Sequence, residues 1–178
     1  MPAPAITKKA LAESMKELMN EMSFEKISVG HICEKCGMAR KSFYYHFKDK
    51  YDLVNWIFYT EYISVLQSKN YSDIHELFQD TCSYFFENRS FYINAFNVEG
   101  QNSFTEFFSE TLQAIAYDYT QDRIGDHEFR DFFCSFFTNA FRESIVQWLK
   151  SGAVIPPERF ASLLAQAFSG IPPKSSGS

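Results

Sequence analysis

With 178 residues and 46% hydrophobic content, the chain holds enough apolar material for a substantial core, which argues against disorder. No apolar run approaches the roughly 18 residues of a membrane span, and residues 1–9 carry no apolar block of signal-peptide length, so a cytoplasmic protein with no membrane association is expected. The net charge of −5 would exclude nucleic acid only if it were evenly spread; residues 1–50 carry +3 and the remainder −8, a basic head on an acidic body.

In chain order, Thr7 is placed to cap a helix whose Leu11, Met15, Leu18 and Met22 share one face and which ends near Ser23. Ser28 can cap a short second helix with Val29, Ile32, Cys33 and Cys36 on one side, closed by Gly37 in the left-handed region. A third short helix follows from about Ala39 to His46, with Phe43 and Phe47 four apart and pointing into one core. Asp49 and Asp52 open a longer amphipathic segment through Leu53 and Ile57 to Leu66, linking head to body.

In the body, Asp73 with Glu76 and Ser103 with Glu106 read as capping boxes before Phe-rich helices. From Glu128 to Lys150 the stripe Phe129, Phe132, Phe133, Phe136, Phe137, Phe141, Ile145 and Trp148 is too wide for one partner, which predicts a helix buried on two sides. Pro156 and Pro157 start a last helix with Phe160, Leu163, Leu164, Ala167 and Phe168 on one face. No strand alternation, hairpin signal or repeat competes, so the fold class is all-α. The expected division is a three-helix, helix-turn-helix head over 1–50, a helical body over 51–172 and a disordered tail over 173–178.

The stretch ISVGHICEKCGMARKSFYYHFKDKYDL joins a helix, a glycine turn and a second helix carrying Arg40, Lys41, Ser42, Tyr44, Tyr45 and His46, followed by Lys48 and Lys50. A helix of this kind fits a DNA major groove, where Arg and Lys reach guanine acceptors while Tyr, Ser, His and Lys donate to phosphates. Residues Phe24 to Leu53 resemble the DNA-binding domain of the TetR family, most specifically in GMARKSFYYHFKDKYDL, with its glycine, hydrophobe, aromatic core and Lys-x-x-Leu. By position, the resemblance implies that Arg40, Lys41 and Tyr44 face bases and that Ser28, Ser42, Tyr45, His46 and Lys50 face phosphates of double-stranded DNA. Two residues depart from the family pattern: Gly30 replaces a polar residue that contacts bases in some members, and Ala39 lacks a capping oxygen. The segments FYINAFNVEGQNSFTEFF and WLKSGAVIPPERFASLL resemble the branch of the family associated with dihydroxyacetone-kinase regulators.

The resemblance implies a homodimer paired through the last two helices, with operator binding controlled by a small molecule and repression the commoner sign. Replacing Leu164 by Glu is then expected to give monomers. Twenty Phe residues shape an aromatic body in which an effector pocket is expected among Phe85, Phe96, Phe104, Phe108, Phe133 and Phe137, with Tyr84 or Asn97 as polar anchors. The alternative keeps the fold but acts mainly through a protein partner, with weak DNA binding of its own. Cys33 and Cys36 form a lone C-x-x-C with no second pair at ligand spacing and read as core filler, and no histidine triplet is present. With no phosphate loop, nucleophile elbow or paired carboxylates, neither an enzyme nor a cofactor is expected.

Overall fold

In a computed structural model that describes residues 4–71, 73–98 and 103–170, every regular element is helical. The tail at 173–178 lies outside the described residues. Helix α1 (Pro4–Glu21) begins a turn earlier than Thr7, with Pro4 at a first-turn position where its missing N–H is not needed. Thr7 is consequently buried within the helix rather than capping it, while Leu11, Met15 and Leu18 point into the core.

A short 3-10 turn (Phe24–Lys26) leads to α2 (Val29–Lys35), and Ser28 caps it as expected. The Ser28 hydroxyl accepts from His31 N at 3.2 Å, and Ser28 N donates to His31 Nδ1 at 3.3 Å, so a histidine closes the capping box. Gly37 has φ +67, the left-handed conformation that turns the chain into α3 (Arg40–His46). Asp49 then caps α4 (Lys50–Phe58), accepting from Tyr51 N and Asp52 N, both at 2.9 Å. The segment expected as one helix to Leu66 instead passes through a π-helical turn (Tyr59–Ile63) into α5 (Ser64–Ser68). This wide turn buries Tyr62 and Ile63 while Tyr59 and Glu61 stay outside.

The body consists of α6 (Ile74–Glu87), α7 (Arg89–Phe96), α8 (Phe104–Thr120), α9 (His127–Lys150) and α10 (Pro157–Phe168). Asp73, Ser103 and Asp126 cap α6, α8 and α9 through Glu76 N, Glu106 N and Phe129 N. Helix α10 packs along α6, α8 lies along α9, and α7 touches α1, α8 and α9. Helix α7 carries no local signal in the sequence, because Asn88 both ends α6 and starts α7 with no glycine or proline to mark the break.

The Phe stripe of α9 divides between two environments. Phe133, Phe137 and Phe141 turn inward, whereas Phe129, Phe132 and Phe136 point to solvent. On α10, Ala161 and Ala165 are buried and Leu164 packs against the core, while Leu163 faces outward at 37% exposure. The Leu164 expectation is corrected: glutamate there would disrupt the protomer's own packing and so could not report on dimerisation.

Candidate nucleic-acid interface and body cavity

Phe43 and Phe47 fix the pose of α3. Phe43 is fully buried and Phe47 nearly so, with ring centroids 5.7 Å apart, and Phe47 meets Trp56 of α4 edge-on at 5.7 Å. Anchored on that side, the helix turns Arg40, Lys41, Tyr44 and Tyr45 to solvent, with Ser42 and His46 half-buried. Tyr45 is 82% exposed, an uncommon position for a large ring unless a partner covers it. Ser28 is exposed at the start of α2. Ala39 makes no side-chain cap, as its composition implies.

The structure accounts for Gly30 through close approach. A Cβ there would stand 2.5 Å from Arg40 Nη2 and 3.3 Å from Ser28 Oγ, so the missing side chain is the space over which the Arg40 guanidinium lies. The departure from the family pattern thus places Arg40 beside the N-terminus of α2, next to Ser28.

The Lys50 ammonium is turned onto the protein itself, not left free as its assignment to phosphates requires. Its ammonium donates to the carbonyls of Phe24 at 2.8 Å, Glu25 at 3.3 Å and Ile27 at 2.8 Å, and sits 4.3 Å from the Phe24 ring centroid. Partial burial draws its pKa below the usual lysine value, with Glu25 opposing. A cation with three carbonyl acceptors is a clamp on the turn before α2. Lys50→Ala should therefore cost about 2 kcal/mol of folding stability while leaving the salt dependence of DNA binding unchanged. Urea unfolding and affinity measured across salt concentrations check both; a shallower salt slope at unaltered stability would return Lys50 to the phosphates.

A second clamp joins head and body. The Asn94 carboxamide on α7 accepts from Phe24 N at 2.8 Å and donates to Met19 O at 3.0 Å and Met22 O at 2.8 Å. Lys16 of α1 pairs with Glu61 of the π turn at 2.8 Å. Neither bridge was read from the sequence, since each joins residues distant along the chain.

The body holds a cavity of about 120 Å3 between the π turn, α5, α6, α8, α9 and α10. Of the expected ligand residues, Phe108, Phe133 and Phe137 line it. Phe85, Phe96 and Phe104 do not: they are buried in a solid aromatic cluster with Phe58 and Tyr92, where Phe85 and Tyr92 lie 4.8 Å apart and Phe96 and Phe104 4.9 Å apart. The anchors are corrected as well. Tyr84 spends its hydroxyl on Tyr92 at 2.6 Å and stacks on Tyr62, and Asn97 is exposed at the end of α7. The polar lining comes from Tyr62, Thr81, Tyr119, Thr120 and Thr138, on the sides that the sequence reading left unassigned. Phe108 belongs to both regions, lining the cavity and meeting Phe85 at 5.5 Å and Phe96 at 5.4 Å.

Burial pushes the Tyr62, Tyr84 and Tyr92 hydroxyls well above the usual tyrosine value, so they act as neutral hydrogen-bonding groups. Burial also pushes the Cys82 thiol up to about 12 and raises Cys33, which keeps both protonated. Cys33 and Cys36 are free thiols, with Cys36 Sγ donating to Ile32 O at 3.3 Å. Among the described residues no group of three or more His, Cys, Asp or Glu is arranged to hold a metal ion. No described helix is long and apolar enough to cross a membrane.

A short helix pair with a solvent-facing basic and tyrosine-rich second helix, carried on an all-helical body, defines a helix-turn-helix DNA-binding protein. Residues 11–57 match the family model for bacterial regulatory proteins of the tetR family, and residues 72–170 match the model for the transcriptional regulator C-terminal region. The chain belongs to the TetR family of transcriptional regulators.

It is 27% identical over 161 residues to the HTH-type dhaKLM operon transcriptional activator DhaS of Lactococcus lactis subsp. lactis (strain IL1403), covering 83% of each chain. Among solved structures, the dihydroxyacetone kinase operon activator DhaS superposes with a TM-score of 0.71 at 21% identity, covering 93% of this chain and 95% of that one. The fatty acid degradation regulator FadR from Bacillus halodurans gives 0.65 at 13% identity, covering 92% and 95%. NalD, the secondary repressor of the MexAB-OprM efflux pump in Pseudomonas aeruginosa, gives 0.62 at 17% identity, covering 98% and 99%.

Proposed function

We propose that the protein is a cytoplasmic, homodimeric regulator that binds operator DNA through α3 and releases or retains it according to occupancy of the body cavity. The observation that carries this reading is the exposed face of α3, Arg40, Lys41, Tyr44 and Tyr45, seated on the buried Phe43 and Phe47. In this reading Lys41 and Tyr44 meet base edges and Ser28, Ser42, Tyr45 and His46 meet the backbone, and Arg40, which lies over Gly30 beside Ser28, reaches bases from that side. Residues 1–50 serve DNA and residues 51–172 serve ligand and partner protomer, with α4 crossing between them. Dimerisation uses the solvent-facing Phe129, Phe132 and Phe136 of α9 and Leu163 of α10. Ligand control follows population shift: a molecule that fits the cavity in only one arrangement of the protomers favours that spacing of the two recognition helices.

Family habit favours repression, whereas the DhaS relative is named an activator and NalD a repressor. A chromosomal deletion with a reporter on the adjacent promoter assigns the sign: rising expression marks a repressor, falling expression an activator. Binding is tested by fluorescence anisotropy against DNA upstream of the protein's own coding sequence and against random duplex, over a salt series. Lys41→Ala should cost about 1–3 kcal/mol on the cognate site if the lysine pairs with guanine, roughly 5- to 150-fold, and much less on random duplex. Absence of any salt-sensitive preference for the upstream DNA would replace this reading by a co-regulator acting through a protein partner.

A further inference from the structure

Thr138 departs from a pattern common among the helical hydroxyls of the body. Thr81, Ser109, Thr111, Thr120, Ser144 and Ser162 each donate to the carbonyl four residues back. Thr138 on α9 is only 7% exposed, and its Oγ1 has no hydrogen-bond partner. A hydroxyl buried in that state is destabilising unless something pairs with it. It lines the cavity, and the neighbouring polar atoms cannot help. Thr81 donates to Leu77 O at 2.7 Å and is thereby left to accept from the Tyr62 hydroxyl, while Thr120 donates to Ala116 O at 2.7 Å.

The rest of the lining sets the chemistry. It contains no Asp, Glu, Lys, Arg or His, and most of it is aromatic or aliphatic. A charged ligand would be desolvated with no counter-charge, and a polyol would set most of its hydroxyls against apolar side chains. At about 120 Å3 the space compares with the roughly 150 Å3 apolar cavity that takes up benzene. Building on the effector-cavity reading above, we propose that the cavity takes an uncharged, largely apolar molecule of about six to eight non-hydrogen atoms bearing a single hydroxyl or carbonyl oxygen. Thr138 selects that oxygen, as the buried lining hydroxyl without a hydrogen-bond partner, whereas Tyr119 is 39% exposed. Dihydroxyacetone, the compound in the name of the solved relative's operon, carries several oxygens on a short chain and fits this lining poorly.

Phenol and toluene are nearly isosteric and differ by a hydroxyl for a methyl, so calorimetric titration of the full chain with each separates the hydrogen bond from the fit. Phenol should bind. Thr138→Val should weaken phenol by about 5- to 20-fold, the worth of one buried hydrogen bond, and leave toluene within about 2-fold. The variant should melt at or above the wild-type temperature because the orphan hydroxyl is gone, and Thr138→Ser should retain the phenol preference. Equal losses for phenol and toluene, no binding of either, or tighter binding of benzoate or dihydroxyacetone than of phenol would each overturn the proposal. Operator affinity measured on the same samples keeps the two readings apart. Thr138-dependent phenol binding that leaves operator affinity unmoved would remove effector control and keep the cavity chemistry. An operator response to another compound that Thr138→Val leaves untouched would do the reverse.

Discussion

Phe132→Glu combined with Phe136→Glu is expected to convert the protein from dimer to monomer in sedimentation at micromolar concentration and to lower operator affinity by about 10²–10⁴-fold. In the protomer these rings are 66% and 56% exposed and stack on one another with centroids 6.0 Å apart, so they lie together on one face of α9. With Phe129 one turn earlier they form an exposed apolar stripe along α9, of a kind that monomeric proteins rarely leave open. Two recognition helices gain by acting together: once one is bound, the second meets its half-site at high effective concentration, and a monomer loses that advantage. Because the substituted rings contribute little to the protomer core, circular dichroism and melting of the monomer should stay close to the single-chain fold. A wild-type protein that sediments as a monomer, or a double variant that remains dimeric, would remove this face from the interface.

The second large effect is expected at Asn94. Asn94→Ala should lower folding stability by about 2–4 kcal/mol, because one N–H and two carbonyls in a partly buried seam lose their partner together. Those three groups belong to the end of α1 and the start of the 3-10 turn, whereas Asn94 belongs to α7, so the same change loosens the head from the body. Asn94→Asp is the informative companion: it can still accept from Phe24 N but sets a carboxylate against the Met19 and Met22 carbonyls, and it should be no more stable than the alanine variant. Chemical denaturation measures both. If Asn94→Ala unfolds within about 0.5 kcal/mol of wild type, the range of an ordinary surface change, the carboxamide is not the joint between the two parts.

What the sequence disclosed follows from the range over which each signal acts. Ser28, Asp49, Asp73 and Ser103 cap the helices that they were expected to cap, because a capping oxygen acts on a backbone N–H two or three residues away. Gly37 adopts the positive φ that its place between two short helices requires. Phe43 and Phe47 lie in the core because their spacing of four and the exposed Arg40, Lys41, Tyr44 and Tyr45 between and around them are properties of one helical turn. The all-helical class and the helix-turn-helix were legible for the same reason.

The errors arose where a residue's role depends on what the fold carries to it. Lys50 reads as a free cation in any linear sequence, and only packing of the Phe24–Lys26 turn over α4 gives its ammonium three carbonyls. Phe85, Phe104, Phe133 and Phe137 look alike as Phe residues on amphipathic helices. The first two close against Phe58 and Tyr92, while the last two border open space, because the crossing of α6, α8 and α9 decides which rings interlock. Asn94 lay unnoticed on a helix with no start or stop signal, and Thr138 looked like any helical threonine until its neighbours left it without a partner. The sequence by itself determined where helices begin, which faces are apolar and which short helix carries an exposed basic face, since these rest on interactions within a few residues. Tertiary structure alone decided which cation is a clamp, which rings enclose a cavity and which buried hydroxyl is left without a partner, since these depend on atoms that approach only after the chain has closed on itself.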